Sequence, residues 1–164
     1  MTRFSLASAR VAAAADRTAM WVGEFLASRG SDNLVLAAAL AQKPHWWVGP
    51  LPVRLDELVR LAGPEDDAFV RVALNEWEED VEEMLESLEE GWEPPPLLAE
   101  YRDGRLFLQD GNHRYEALAR AHKREAWVLI YFDDPVDRDA FVTDRAKPPL
   151  SRVESPTAEP LPRP

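Results

Sequence analysis

The chain contains no cysteine. That removes disulfides, thiolate metal sites and every thiol-based mechanism. Histidine is scarce: the three stand at positions 45, 113 and 122. No two are four residues apart, the spacing that sets a metal-ligating pair on one helical face. No apolar run reaches the roughly 18 residues of a membrane span. Arg10, Asp16 and Arg17 interrupt the small apolar residues near the N-terminus, so no signal-peptide core is expected there and a cytoplasmic protein is. Basic charge is short too, with 19 Lys and Arg against 30 Asp and Glu. The sequence therefore lacks the basic stripe of a protein that tracks a nucleic-acid backbone.

What is present fits one domain of ordinary size: 164 residues, 46% apolar and 30% charged. The net charge of −11 is concentrated, because nine of those units come from the acids between Glu76 and Glu90, a stretch with no base. There Trp77, Val81, Met84, Leu85 and Leu88 recur at three- and four-residue steps, which predicts an amphipathic helix over 68–90 with one acidic face. Gly91 stands where a helix stops and Pro94, Pro95 and Pro96 forbid continuation.

Upstream, residues 4–29 read as one helix and 33–43 as a second, capped by the Ser31-Asp32-Asn33 segment and ended at Lys43-Pro44. Residues 1–44 thus form an N-terminal helical hairpin. HWWVGPLPVRL, 45–55, is aromatic and β-branched but carries Pro50 and Pro52, as an edge strand does. Asp56 and Glu57 open a short helix to about 62. LLAEYR (97–102) and RLFLQ (105–109), joined by Asp103-Gly104, give a hairpin. A helix follows over 112–121, then an interior strand at 124–132 and a helix at 135–145. Residues 146–164 are proline-rich and are expected to be a disordered tail. The order specifies an α+β domain over 45–145, with a small mixed sheet flanked by helices.

The chemistry gathers in LQDGNHRYEAL, 108–118. A strand, a tight Asp-Gly turn and a helix start would leave free amides beside Gly111, and a glycine there lets a ligand approach the backbone. Arg114 can fork onto two phosphate or carboxylate oxygens. His113 can donate or exchange a proton near neutral pH. Asp110 can orient the loop, bind a metal carried by phosphates or accept a hydroxyl proton. The plainer alternative makes Asp110 an N-cap and Gly111 a turn residue, with His113 and Arg114 solvated. Glu57 is a candidate base, against the simpler role of complementing a helix dipole. Trp46, Trp47, Trp77 and Trp92 can stack a base or pack in the core.

Taken with PVRLDEL (52–58), ESLEEGWEPPPLLAEY (86–101) and LFLQDGNHRYEALARAHKREAWVLIYF (106–132), the DGNHR box resembles the ParB/sulfiredoxin superfamily over roughly half of the chain. The resemblance implies a ParB/sulfiredoxin-like fold. It also implies phosphate recognition by Gly111, Asn112, His113 and Arg114, with CTP or ATP and Mg²⁺ as cofactors. Asp110, His113 and Glu57 become the candidate catalytic groups. Asn112 stands where sulfiredoxins carry their catalytic cysteine, so sulfinic-acid reduction is excluded. Partition proteins append a helix-turn-helix and a dimer domain to this unit. The expectation is a nucleotide-binding protein, acting as a phosphotransferase on a small-molecule acceptor or as a nucleotide hydrolase. The alternatives are an interaction module that dimerises or meets a protein partner through the N-terminal helices, and a DNA-associated nuclease-like protein. The charge balance disfavours the last.

Overall fold

The computed structural model describes residues 3–63, 70–71 and 74–147. The expected α+β architecture is the one observed. Five strands form a mixed sheet in the order β1-β7-β5-β6-β2: β1 (Trp46–Arg54), β2 (Leu58–Arg60), β5 (Leu97–Arg102), β6 (Arg105–Asp110) and β7 (Glu125–Phe132). β1 is antiparallel to β7, β7 parallel to β5, β5 antiparallel to β6 and β6 parallel to β2. A two-residue parallel pair, β3 (Ala62–Gly63) with β4 (Val70–Arg71), stands apart from it.

The helices are α1 (Leu6–Ala14), α2 (Thr18–Leu26), α3 (Leu34–Ala41), α4 (Leu74–Glu89), α5 (Asn112–Arg120) and α6 (Pro135–Ala146). The single helix expected over 4–29 is two. Asp16 turns left-handed at φ 55°, and the amides of Asp16 and Arg17 fold back onto the carbonyls of Ala13 and Ala12. That is the bond pattern of a Schellman stop, here built on an aspartate. The N-terminal unit is therefore three helices, not a hairpin. The short helix expected over 56–62 is a 3₁₀ turn at Leu55–Glu57 followed by β2, because the extended Leu58, Val59 and Arg60 pair with β6. The acidic helix starts later than expected: Val70 and Arg71 are strand and α4 begins at Leu74, while 68–69 and 72–73 lie outside the described residues. So does the expected tail beyond 147.

Other features follow the sequence closely. Gly91, at φ 91°, ends α4. Asp103 and Gly104, at φ 52° and 76°, make the β5–β6 turn with the double left-handed geometry that a two-residue hairpin needs. Asp134 caps α6 through Val136 N at 2.7 Å, with Pro135 behind it. β1 is an edge strand, as its prolines require. Its register shifts between Val48 and Leu51, where a Cβ on Gly49 would come within 2.5 Å of the Val128 carbonyl oxygen.

The sheet separates two apolar layers. Period-two alternation sends Val53, Leu97, Ala99, Leu106, Leu108, Val128, Ile130 and Phe132 to one face, with Leu118 of α5 and the partly buried Leu88 and Phe141 of α4 and α6. Leu98 and Leu129 point to the other face and meet Trp21, Val22, Phe25 and Leu26 of α2. The N-terminal helices are thus one wall of the sheet's own core. Trp77, Val81 and Ala117 bind α4 to α5.

Candidate functional site

β6 ends at Asp110 and α5 starts at Asn112, so the box occupies the strand-to-helix turn that the sequence specifies. Gly111 is the N-cap, with φ 102° and ψ 29°. A Cβ at this position would sit 2.6 Å from Leu97 Cδ2 and 2.9 Å from Arg114 Nη2. Glycine is thus required for its backbone conformation and for the space the guanidinium takes. Because the N-cap has no side chain, the amides of the first turn, at Asn112, His113 and Arg114, receive no side-chain cap. These are the groups that give a helix start its affinity for anions.

Asp110 does not cap α5. It is buried, and both of its oxygens are engaged elsewhere. Oδ1 accepts from Ser31 Oγ at 3.0 Å and Asn33 Nδ2 at 3.1 Å, and Oδ2 accepts from Arg114 Nη2 at 2.8 Å. Arg114 is equally committed, with 6% of its side chain exposed. Its Nη1 donates to the carbonyls of Pro95 and Pro96, both at 3.0 Å, and its guanidinium lies 5.2 Å from the centroid of the Phe25 ring. Burial pulls the Arg114 pKa down while Asp110 opposes the shift; a guanidinium so paired stays charged. The residue expected to clamp phosphate is instead a bracket joining α2, the segment before β5, the end of β6 and α5. The plainer reading, with Asp110 as an N-cap and Arg114 solvated, is not what is observed either.

Beside this bracket lies a cleft of about 540 Å³, lined by residues 30–33, Val35, Trp77, Met84 and residues 109–114. His113 stands in it over the ring of Trp77, with centroids 4.4 Å apart and planes tilted by 32°. Its Nε2 is 3.4 Å from Asp80 Oδ2. The Asn112 Oδ1 is buried and has no hydrogen-bond partner. Burial is the main cause that holds His113 below its ordinary pKa of 6.5; Asp80 and Asp110 oppose the shift, and Arg114 and Arg60 add to it. A histidine with a lowered folded-state pKa protonates first in the unfolded chain. Stability is therefore lost as the pH falls through 6.5 and levels off below the folded pKa. Chemical unfolding between pH 7.5 and 5 (on the order of the imidazole range) is expected to show that slope, and His113→Gln to remove its share of it.

Glu57 is not brought to the cleft. It accepts from Arg145 Nη2 at 2.7 Å and ties the 3₁₀ turn to α6. Trp77 is fully buried beneath His113, while Trp47 packs toward the N-terminal helices and Trp46 toward the opposite face. Trp77 therefore offers no open ring to a base. Among the described residues, no three His, Asp or Glu side chains are placed to hold a metal ion. With Asp110 saturated, Asp32 is the exposed carboxylate that lines the cleft and could meet a cation carried in by phosphates. Among the described residues, no helix is long and apolar enough to cross a membrane.

Ser31 and Asn33, the partners of Asp110, were legible only as a helix cap. Asn33 does cap α3, its Oδ1 accepting from Leu36 N at 3.2 Å, and uses its amide nitrogen for Asp110. Asp80 and Trp77 join the site through α4, and no local signal announces that contact.

No protein-family model and no curated protein matches the chain. It is similar to several solved structures. A conserved hypothetical protein from Pyrococcus furiosus shares 19% identity over 49% of this chain and 31% of that one, with a TM-score of 0.38. Sulfiredoxin from Arabidopsis thaliana shares 17% over 59% of this chain and 97% of that one, at 0.39. The C-terminally truncated chromosome-partitioning protein ParB from Caulobacter crescentus, complexed with CTP-γ-S, shares 19% over 61% of this chain and 54% of that one, at 0.40. The chain thus spans about a third of the Pyrococcus protein, half of the truncated ParB and nearly all of the sulfiredoxin.

Proposed function

We propose that the chain binds a phosphate-bearing small molecule of the nucleotide class in the cleft at the start of α5. One observation carries this reading: α5 begins on a glycine, so its first three amides have no side-chain cap beside a 540 Å³ cleft. The amides at 112–114 and a ring N–H of the neutral His113 would take the phosphate oxygens. Val35 and Met84 supply apolar wall for the rest of the ligand. Mg²⁺ would arrive with the phosphates and face Asp32. Binding is preferred to phosphoryl transfer because the two carboxylates expected as bases are occupied, Asp110 by three donors and Glu57 by Arg145. Any transfer or hydrolysis would fall to His113 as the proton acceptor.

Thermal denaturation with CTP, ATP or inorganic phosphate, each with and without Mg²⁺, tests the reading. A nucleotide at one hundred times its Kd adds about 2.7 kcal/mol, a rise in Tm on the order of 5–10 °C for a chain of this size. The informative variant is Asn112→Asp. A carboxylate in the first turn gains from the helix dipole, which offsets part of the cost of placing charge at the buried Asn112 Oδ1 position, and it repels an anion at that place. Its Tm without ligand should fall by a few degrees at most (about 1–2 kcal/mol), with a single cooperative transition, while the ligand-induced rise disappears. A parent protein indifferent to all three compounds ends the proposal.

A further inference from the structure

We propose that the rim of the cleft beside α5 is a docking groove for a basic amphipathic helix of a partner protein, with α3 as its apolar wall and α4 as its acidic one.

α3 reads LVLAAALA and carries no polar side chain on any face. A helix apolar all round is ordinarily buried on every side, yet none of these eight residues is buried. Leu36, Ala37 and Leu40 pack partly against the α2 layer, while Leu34, Val35, Ala38, Ala39 and Ala41 are exposed. Val35 is 84% exposed, more than any other large apolar side chain among the described residues, and Leu34 is 61% exposed. Polar helix formers at 34, 35 and 38 would keep the helix and remove the exposure, so folding does not call for these side chains. Apolar surface gathered in one place marks a contact surface.

Across the cleft stands α4. Val35 and Met84 line the cleft together, and Asp80 meets His113 at its wall. Glu76 lies four residues before Asp80 and Glu83 three after, so the three carboxylates share one side of α4. Each of these residues is exposed, and Glu76 and Glu83 have no ion-pair partner among the described residues. Asp32 adds a carboxylate at the start of α3. Among the described residues that line the cleft, the one Lys or Arg is Arg114, and Asp110 neutralises it. A wall without charge facing a wall of negative charge selects a helix with an apolar stripe beside a basic one. A second copy of the chain is the poorer occupant, since it brings its own α4 and a net charge of −11 to the same place. At about 1.5 Å per residue, a partner helix of about 18 residues spans the length of α4, which has 16.

The probe is a fluorescent peptide of about 18 residues with Leu at helical spacing on one face and Lys elsewhere, titrated with the full chain and read by anisotropy. It should bind saturably, one per chain. The same Leu pattern with Glu for Lys should not bind, and a scramble of the Lys peptide, which has no apolar face, should bind roughly tenfold more weakly or worse. Leu34→Gln with Val35→Gln, at exposed positions and with helix propensity kept, should weaken binding by roughly tenfold or more. Asp80→Asn with Glu83→Gln should weaken it about fivefold, while Glu82→Gln with Glu89→Gln, the same loss of charge on the opposite side of α4, should leave it within about twofold. No binding, equal binding of the scramble, equal losses from the two pairs of α4 changes, or an unaltered affinity in the α3 variant each overturns the proposal. So does a chain that sediments alone as a dimer and is dispersed by the α3 changes, a result that gives the face to a second copy. The amides at the start of α5 take no part in this docking, so the outcome is independent of the nucleotide reading.

Discussion

Asp110→Ala is expected to cost about 3–5 kcal/mol of stability, because it strands a buried guanidinium without its counter-charge; Tm should fall on the order of 10 °C. Arg114→Ala should cost a similar amount by the converse route. It leaves the carboxylate of Asp110 buried with only Ser31 and Asn33, and frees the carbonyls of Pro95 and Pro96 from their donor. Removing both charges together, as Asp110→Ala with Arg114→Ala, should cost much less than the two single losses summed, since no lone charge remains. Denaturant unfolding of the three variants forms the cycle. A loss below about 1 kcal/mol for Arg114→Ala, the range of an exposed pair, would mean that the guanidinium is solvated and free to meet a ligand. The same reasoning makes Arg114→Ala a poor probe of binding, since it removes the fold's bracket along with any contact to phosphate.

Deleting residues 1–43 is expected to abolish cooperative folding. The truncation uncovers Leu98 and Leu129, both fully buried, and removes Trp21, Val22, Phe25 and Leu26 from against them. Each such side chain contributes about 1.5–3 kcal/mol by its burial, and whole-domain stability is only about 5–15 kcal/mol. The deletion also takes away Ser31 and Asn33, two of the three donors to Asp110. Loss of amide dispersion in the NMR spectrum and of any sharp thermal transition is the expected result. A truncated chain that melts cooperatively would make the N-terminal helices an appended module instead. Association through those helices is better examined with point changes on the exposed α3 residues Leu34 and Val35, which leave the shared core intact.

The box was legible because its signals are local. A β-strand pattern, an Asp-Gly turn and a helical pattern are each written in consecutive residues, and they put Gly111, Asn112 and His113 at the strand-to-helix turn where they are found. The role of Arg114 was not legible, because it depends on where residues 95–96 and Phe25 arrive, and sequence spacing does not encode that. The 3₁₀ turn and β2 were misread for a related reason: Asp56 and Glu57 resemble a helix start, and the pairing with β6 that overrides them is long-range. The break at Asp16 has no sequence signal, because aspartate adopts the left-handed conformation less often than glycine and an alanine-rich stretch otherwise favours continuation. Glu57 has the chemistry of a base but not its place, because Arg145, its partner, comes from the far end of the chain.

On the proposed reading, the acidic face of α4 governs how a phosphate-bearing ligand enters the cleft. Asp80 touches His113, and more acids lie along the same helix, so an incoming anion meets a repulsive field before it reaches the favourable amides. Added salt screens the field over a distance of about 10 Å at 0.1 M. Association should therefore quicken with ionic strength, the reverse of the electrostatic steering found where a cationic funnel draws its ligand in.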